Sequence, residues 1–580
     1  MAVADRTHSA TSFAEVLRSR AESTPETTAF VFVEEDGSER ALTYAELHGR
    51  ACAAAAAIES ENSSPTNPAL LLFAPGLDYV AALFGCFYAG APVVPAYPPD
   101  PLRISRTLPR LLAILDDAAA DLVLTTEPLR ESVEQWLRSG GSSSRVVATD
   151  ELHGGDRGAG APPSDALALL QYTSGSTRSP SGVMLTHEQL LSNAARMQVA
   201  FELSERDVVV TWLPPYHDMG LIGGVITSVY TGMRGVLMSP LTFLRRPITW
   251  LREISRHRAT VTGAPNFAYD LCVRRTTPDQ RAGLDLSSME VAFSGSEPVR
   301  AETLTEFARA FAPYGFRREA FVPAYGLAEA TLMVSGTRRL AGPRIVSADR
   351  DQLERGRVVE SASGDAGARV LVGCGGPPID HAIAIVDPSS LRKCPDGRVG
   401  EIWFSGPNVA RGYWRKPEET RATFHATTSD TGEGPFLRTG DLGFLLDDQV
   451  FVSGRLKDVI VINGRNYHPV DVEKGCEAAV PGLRRGCGAV FPMESEDGRE
   501  GIGIVYEVGG DDGDGHAGTL DAIRRAISRE TSLRPETVAL VPPRTVPKTS
   551  SGKVQRYLCK ERLLADELDT VARWDASLSS

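Results

Sequence analysis

Three short apolar runs, Ala69-Leu-Leu-Leu-Phe73, Ala91-Pro-Val-Val-Pro95 and Leu122-Val-Leu-Thr125, show no alternation of polar and apolar residues. A strand that reads this way is buried on both faces, so helices must cover the sheet above and below. The segments between supply them. Thr43-Tyr-Ala-Glu46 is a capping-box sequence leading into an alanine-rich helix through Ile58. The chain is thereby held to parallel α/β layers. Residues 79–99 carry no charge and are nominally long enough to span a bilayer. They include Gly85, Gly90, Pro92, Pro95, Pro98 and Pro99, however, so a buried helix over 79–89, a turn and a short strand are expected, and no membrane span.

At 580 residues the chain exceeds one ordinary core, which predicts two or more domains. A net charge of −13 and the lack of a basic stripe with interleaved aromatics exclude a general nucleic-acid binder. The eight cysteines form no Cys-x-x-Cys pair, so neither a disulfide framework nor a zinc site is expected, and a reducing cytoplasm is the simplest compartment. The N-terminus lacks a basic segment followed by an apolar core, so no signal peptide is expected. Gly509-Gly-Asp-Asp-Gly-Asp-Gly515 has no Glu at the twelfth loop position and reads as an acidic hairpin loop rather than a calcium site. The runs 401–405 and 449–453 read as strands of a smaller β-rich subdomain. Beyond Ser453 the periodicity resets into a compact α/β unit with strands at 459–462 and 501–506.

After the apolar, strand-like residues 166–170 comes Gln171-Tyr-Thr-Ser-Gly-Ser-Thr-Arg-Ser-Pro-Ser-Gly-Val-Met-Leu-Thr-His187. Glycines let backbone N–H groups approach a polyphosphate, and hydroxyls add donors. It is not a Walker loop, because no Gly-x-x-x-x-Gly-Lys-Ser/Thr is present. Four further motifs follow in order: Tyr325-Gly-Leu-Ala-Glu-Ala-Thr331, Arg438-Thr-Gly-Asp-Leu-Gly443, Ser453-Gly-Arg-Leu-Lys-Asp-Val459 and Pro547-Lys-Thr-Ser-Ser-Gly-Lys553.

Together these resemble the ordered motifs of the adenylate-forming superfamily of acyl-CoA synthetases, luciferases and amino-acid adenylation domains. Trp212-Leu-Pro-Pro-Tyr-His-Asp-Met-Gly-Leu221 and the Ser176-Thr-Arg178 variant of the loop resemble its fatty acyl-AMP ligase branch. The resemblance implies an α/β fold. Residues 1–454 would form a large N-terminal adenylate-forming domain of two layered α/β subdomains plus a β-rich one, and residues 455–580 a small mobile C-terminal α/β domain. It implies attack of a fatty acid carboxylate on the α-phosphate of ATP, giving acyl-adenylate and pyrophosphate, with Mg²⁺ as cofactor.

By the same resemblance, Thr173, Ser174, Gly175, Ser176 and Thr177 would hold the β- and γ-phosphates. Many relatives carry Gly and Lys where this loop has Arg178 and Ser181. Ser296, Glu297 and Pro298 would meet adenine, and so would Tyr325, whose ring can lie against a flat base beside Gly326, Leu327 and Ala328. Ala328 stands where many relatives have Thr. Glu329 would bind magnesium, and Asp441 and Arg455 the ribose. Lys553 would be catalytic, because a flexible loop can carry its ammonium to the reacting oxygens. His217 would line the passage between acyl pocket and nucleotide, as a positioning group rather than a base. Gly223, Gly224, Gly232 and Gly263 could leave room for an alkyl chain.

Lys457 matches the family's hinge, about which the small domain swings between half-reactions. Residues 338–378 form a long charged, Gly-rich connection matching the region where the branch carries an insertion that disfavours CoA use. No Asp-Ser-Leu phosphopantetheine site occurs, so a separate holo acyl carrier protein or synthase is the expected acyl acceptor. Two other readings stand beside this one: a fatty acyl-CoA synthetase, and a catalytically inactive adenylate-fold binding protein.

Overall fold

A computed structural model describes residues 9–576 except 62–63, 65, 100–103, 153–160, 173–179, 363, 366, 463–464, 495–499, 510–514, 531–532 and 550–552. The apolar runs become Ala69–Leu72, Val93–Ala96 and Leu122–Thr125, adjacent parallel strands of a seven-stranded sheet. Its far edge turns antiparallel where Leu167–Tyr172 pairs with Gly182–Thr186. A second, eight-stranded sheet has parallel inner strands, among them Val208–Thr211, Val261–Ala264, Val291–Ser294 and Phe321–Gly326.

One hydrophobic core joins the two sheets through helices that both share. Tyr44–Glu61 and Leu77–Ala89 contribute Leu47, Ala51, Ala55, Val80, Leu83 and Phe84 to it. Thr43 and Glu46 exchange the reciprocal capping hydrogen bonds their spacing predicts. The helix they start runs on to Glu61, three residues beyond the expected end. The uncharged stretch is the buried helix Leu77–Ala89, closed by Gly90 in the left-handed region, followed by a short strand. Among the described residues no helix is long and apolar enough to cross a membrane.

Residues 382–455 build a four-stranded antiparallel sheet ending in the hairpin Leu437–Leu446 and Gln449–Arg455. Against that hairpin packs the connection 338–378. Its strands Ile345–Asp349 and Ala368–Val372 and its helix Arg350–Glu354 bring Val346, Leu353 and Leu371 onto Phe444 and Phe451.

From Ile460 onward the chain builds a separate four-stranded sheet, Leu483–Glu494, Glu500–Val508, Pro535–Val541 and Ala572–Asp575. Two hydrophobic cores here draw only on residues 460–574. Residues 510–514, the body of the acidic stretch read as a loop from the sequence, lie outside the described residues. Beyond them comes the helix Gly515–Glu530, and the next strand, Pro535–Val541, runs parallel to Glu500–Val508. A parallel return needs a crossover, which a tight turn cannot provide.

Candidate nucleotide and acyl site

The strands of the eight-stranded sheet end in the turns that hold the candidate site. Val291–Ser294 gives way to Gly295 and then to Ser296 at φ 67°, a left-handed value that costs a non-glycine residue strain. This twist sends the Glu297 side chain back onto the start of the neighbouring helix, where the Phe267 N–H donates to its carboxylate at 2.6 Å. Burial raises the Glu297 pKa, against the pull of that N–H and of Arg300 and Lys553. Pro298 follows in the same turn.

Phe321–Gly326 carries Tyr325 at its end, with the ring buried. At Gly326 a Cβ would come within 1.9 Å of the Leu332 carbonyl oxygen, so no other residue fits there. The Tyr325 hydroxyl donates to Asp441 at 2.8 Å. Asp441 lies on Leu437–Leu446, directly across the ladder from Arg455, whose Nε donates to its other oxygen at 3.0 Å. Tyrosine, aspartate and arginine from three strands thus form one wall. Leu327 leads into the short turn Ala328–Ala330, which buries Ala328. The Glu329 carboxylate in that turn accepts a 2.9 Å hydrogen bond from the Tyr413 hydroxyl. Burial raises its pKa, while Tyr413 and Arg455 oppose the rise.

His217 and Asp218 stand at the mouth of an unusual turn. Asp218 caps the π-helix Met219–Ile226, accepting from the Met219 N–H at 2.7 Å, and its Oδ1 lies 2.6 Å from His217 Nδ1. Burial would push the Asp218 carboxyl up, but the His217 imidazole and the Lys553 ammonium outweigh it and hold the pKa below its usual value. The His217 segment is anchored from behind. Gln171, on the strand before the phosphate loop, donates to the Tyr216 carbonyl at 3.1 Å, and Tyr79 donates to that of Pro215 at 2.7 Å.

Lys553 arrives from the C-terminal unit in a turn closed by Thr549 N–H to Lys553 C=O at 2.8 Å and Lys553 N–H to Thr549 Oγ1 at 3.0 Å. Burial lowers its pKa, Arg455 adds to the lowering, and Asp218, Asp441 and Glu297 resist it. The charges of Arg455, Asp218, Asp441 and Glu297 thus all act on Lys553, with Tyr325 bonded to Asp441 and His217 in contact with Asp218. Thr173, Ser174, Gly175, Ser176 and Thr177 lie outside the described residues. Lys457 is exposed on the single turn Leu456–Asp458, and its neighbour Asp458 pairs with Arg556 at 3.2 Å.

Two participants escape sequence reasoning. Tyr413 reaches Glu329 from 84 residues away. Lys416 donates from its ammonium to the Pro180 carbonyl and the Ser181 hydroxyl, both at 2.8 Å. It brings a positive charge to the position where many relatives carry a loop lysine. Neither has a local signature beyond the run Gly412-Tyr-Trp-Arg-Lys416. Gly232 departs from its expected place beside an alkyl chain. It ends the helix Thr227–Thr231 at φ 80°, and a Cβ there would strike the Arg20 guanidinium. Gly223 remains beside Leu332 and Met197, on the π-helix. A surface cavity of about 320 Å³ is lined by Arg245, Arg246, Arg252 and Arg275 and contains none of these site residues.

A core built on parallel strands, with a polar wall at the strand ends and a lysine brought in from a C-terminal unit, is the architecture of an adenylate-forming enzyme. The chain belongs to the AMP-binding enzyme family, whose profile matches residues 17–414. It is 44% identical over 565 residues to the medium-chain-fatty-acid–[acyl-carrier-protein] ligase JamA of Moorena producens, covering 94% of each chain. It is 36% identical to the long-chain-fatty-acid–AMP ligase FadD32 of Mycolicibacterium smegmatis, covering 92% of this chain and 91% of that one. Among solved structures it matches a fatty acyl-adenylate ligase from L. pneumophila in complex with acyl adenylate and pyrophosphate, with TM-score 0.75, 35% identity and 98% of each chain covered.

Proposed function

We propose that this protein activates a fatty acid with ATP to an acyl-adenylate, releasing pyrophosphate, and passes the acyl group to a separate holo acyl carrier protein or synthase. A carboxylate oxygen attacks the α-phosphorus, and the bond to the bridging oxygen of pyrophosphate breaks. No proton needs to be removed from the nucleophile, so the protein's task is placement and charge. The observation that carries the reading is the convergence of Lys553 with Asp218, Asp441, Glu297 and Arg455.

Asp441 accepts from the ribose hydroxyls, with Tyr325 and Arg455 holding its carboxylate in place. Glu297 and Pro298, after the strained Ser296, meet the adenine edge, and the Tyr325–Ala328 strand end lies along its face. Lys553 neutralises charge building between the attacking carboxylate and the α-phosphate. Asp218 orients the His217 ring at the acyl entrance. The loop 173–177 holds the outer phosphates, with Lys416 gripping its exit at Ser181.

Glu329 is a half-buried carboxylate with one oxygen engaged by Tyr413, a donor set that fits a magnesium ion completed by phosphate oxygens. Bound there, Mg²⁺ would supply charge neutralisation on the polyphosphate. The compartment is the cytoplasm, in keeping with eight free cysteines.

The domain boundary falls at 454/455, with Lys457 in the hinge. The connection 338–378 restrains the swing about it: Arg465 lies 3.8 Å from Asp351 and 3.7 Å from Glu354, and Arg369 meets Asp471 at 3.1 Å. A relative named as a carrier-protein ligase supports the carrier as acceptor. Pyrophosphate release with ATP and fatty acids of graded length tests the first step. A thioester assay offering CoA and holo-carrier side by side tests the second, with acyl-carrier expected and little acyl-CoA. Efficient acyl-CoA formation would instead make the protein a synthetase.

A further inference from the structure

Away from this site, three metal-type ligands meet where the edge strand of the eight-stranded sheet passes a helix end. Glu39 opens the strand Glu39–Thr43. Glu253 and His257 are four residues apart on the helix Ile248–His257 and so share one face. One ligand atom from each lies within 4.8 Å of the other two. His257 Nε2 is 3.0 Å from Glu39 Oε1 and 3.5 Å from Glu253 Oε2. A tetrahedral zinc ion with bonds of about 2.0–2.1 Å sets its donor atoms about 3.3 Å apart, between those two spacings.

Two of these atoms are left without a hydrogen bond. Glu253 is only 7% exposed, yet its Oε2 and His257 Nε2 are buried with no hydrogen-bond partner. The 3.0 Å approach of Nε2 to Glu39 is thus a close contact without hydrogen-bond geometry. With no hydrogen bond from the ring nitrogen to either carboxylate, the three ligand atoms leave a place that a cation between them would fill. The place is also the last turn of a helix, where the negative end of the dipole favours a cation. Arg256 is the competing charge, with Nη1 3.0 Å from Glu39 and 3.7 Å from Glu253. Its side chain is 54% exposed and can swing into solvent.

We propose that Glu39, Glu253 and His257 form a binding site for a divalent zinc-class ion that ties the edge strand to this helix. His257 binds through Nε2 and the carboxylates through one oxygen each, and the fourth position stays open to water. The ion's role is structural, because no residue of the nucleotide wall takes part.

Untagged protein, with excess Mg²⁺ present, should take up one equivalent of Co²⁺ with the visible bands of a nitrogen- and oxygen-ligated ion and no thiolate charge-transfer band. Zn²⁺ should displace it and raise the melting temperature. Affinity should fall roughly tenfold or more in Glu253→Gln and His257→Ala, with pyrophosphate release unchanged as proof of folding. Arg256→Ala should bind at least as tightly as the parent. A parent protein showing no Co²⁺ band, or one with thiolate character, overturns the proposal whether or not the variants fold. So does equal affinity in Glu253→Gln. The cluster would then be an ion network closed by Arg256 alone.

Discussion

Asp441 is held by Tyr325 from one strand and faces Arg455 across a ladder, so its position is set by the sheet itself. Lys553 is different. The hydrogen bonds that shape its turn are local, and its place beside Asp441 depends on how the whole unit beyond residue 460 is seated. One half of the site is preorganised by backbone pairing, and the other is delivered. A group delivered this way can be withdrawn, which is what an enzyme with two successive half-reactions requires.

The sharpest way to break this contrast is Lys553→Ala. Adenylate formation should fall by roughly two to three orders of magnitude in single-turnover assays, while ATP binding stays largely intact. A near-parent rate would remove Lys553 from the chemistry. Next is Lys457→Pro, which fixes φ in the linking turn and should cripple one half-reaction by roughly tenfold or more while sparing the other. Equal loss of both, or of neither, would count against a hinge there.

On the preorganised side, Lys416→Met should raise the KM for ATP about tenfold with a smaller change in kcat, since it loosens the phosphate-loop exit. Tyr413→Phe should cost only a few-fold in kcat/KM. Its hydroxyl opposes the burial that raises the Glu329 pKa, so removing it raises that pKa further. The acid limb of the pH–rate profile should therefore move to higher pH. A shift the other way would dissociate Glu329 from activity.

A separate test compares the two regions by stability. His187 in the N-terminal core and His468 in the C-terminal unit are both buried, which lowers each pKa from 6.5 to about 4. The unfolded chain then binds more protons between those values, so stability is full above pH 6.5 and declines as pH falls toward 4. Each residue contributes roughly 3 kcal/mol at most over that window. Melting temperature should drop between pH 7 and pH 5, and His187→Gln and His468→Gln should each flatten the drop for its own region.

Elements whose signal is local were legible in the chain. Thr43 and Glu46 form their capping pair because both partners lie within one helical turn. The charge-free runs at 69–72 and 122–125 became inner strands because burial on both faces leaves no place for polar residues. The parallel register of Pro535–Val541 beside Glu500–Val508 has no local signal, because it is set by pairing across the intervening helix Gly515–Glu530. Tyr413 and Lys416 were illegible for a related reason, since each acts on a segment 84 or more residues distant.

By itself, then, the order of residues determined the layered α/β class, the helix starts and the residue types waiting at the strand ends, because each depends on neighbours within a few positions. The tertiary structure alone decided that Tyr325 grips Asp441, that Lys416 takes station at Ser181, and that Lys553 comes to lie among Asp218, Asp441 and Glu297. Those contacts arise from the packing of separate sheets and from the seating of the C-terminal unit, and no local pattern encodes either.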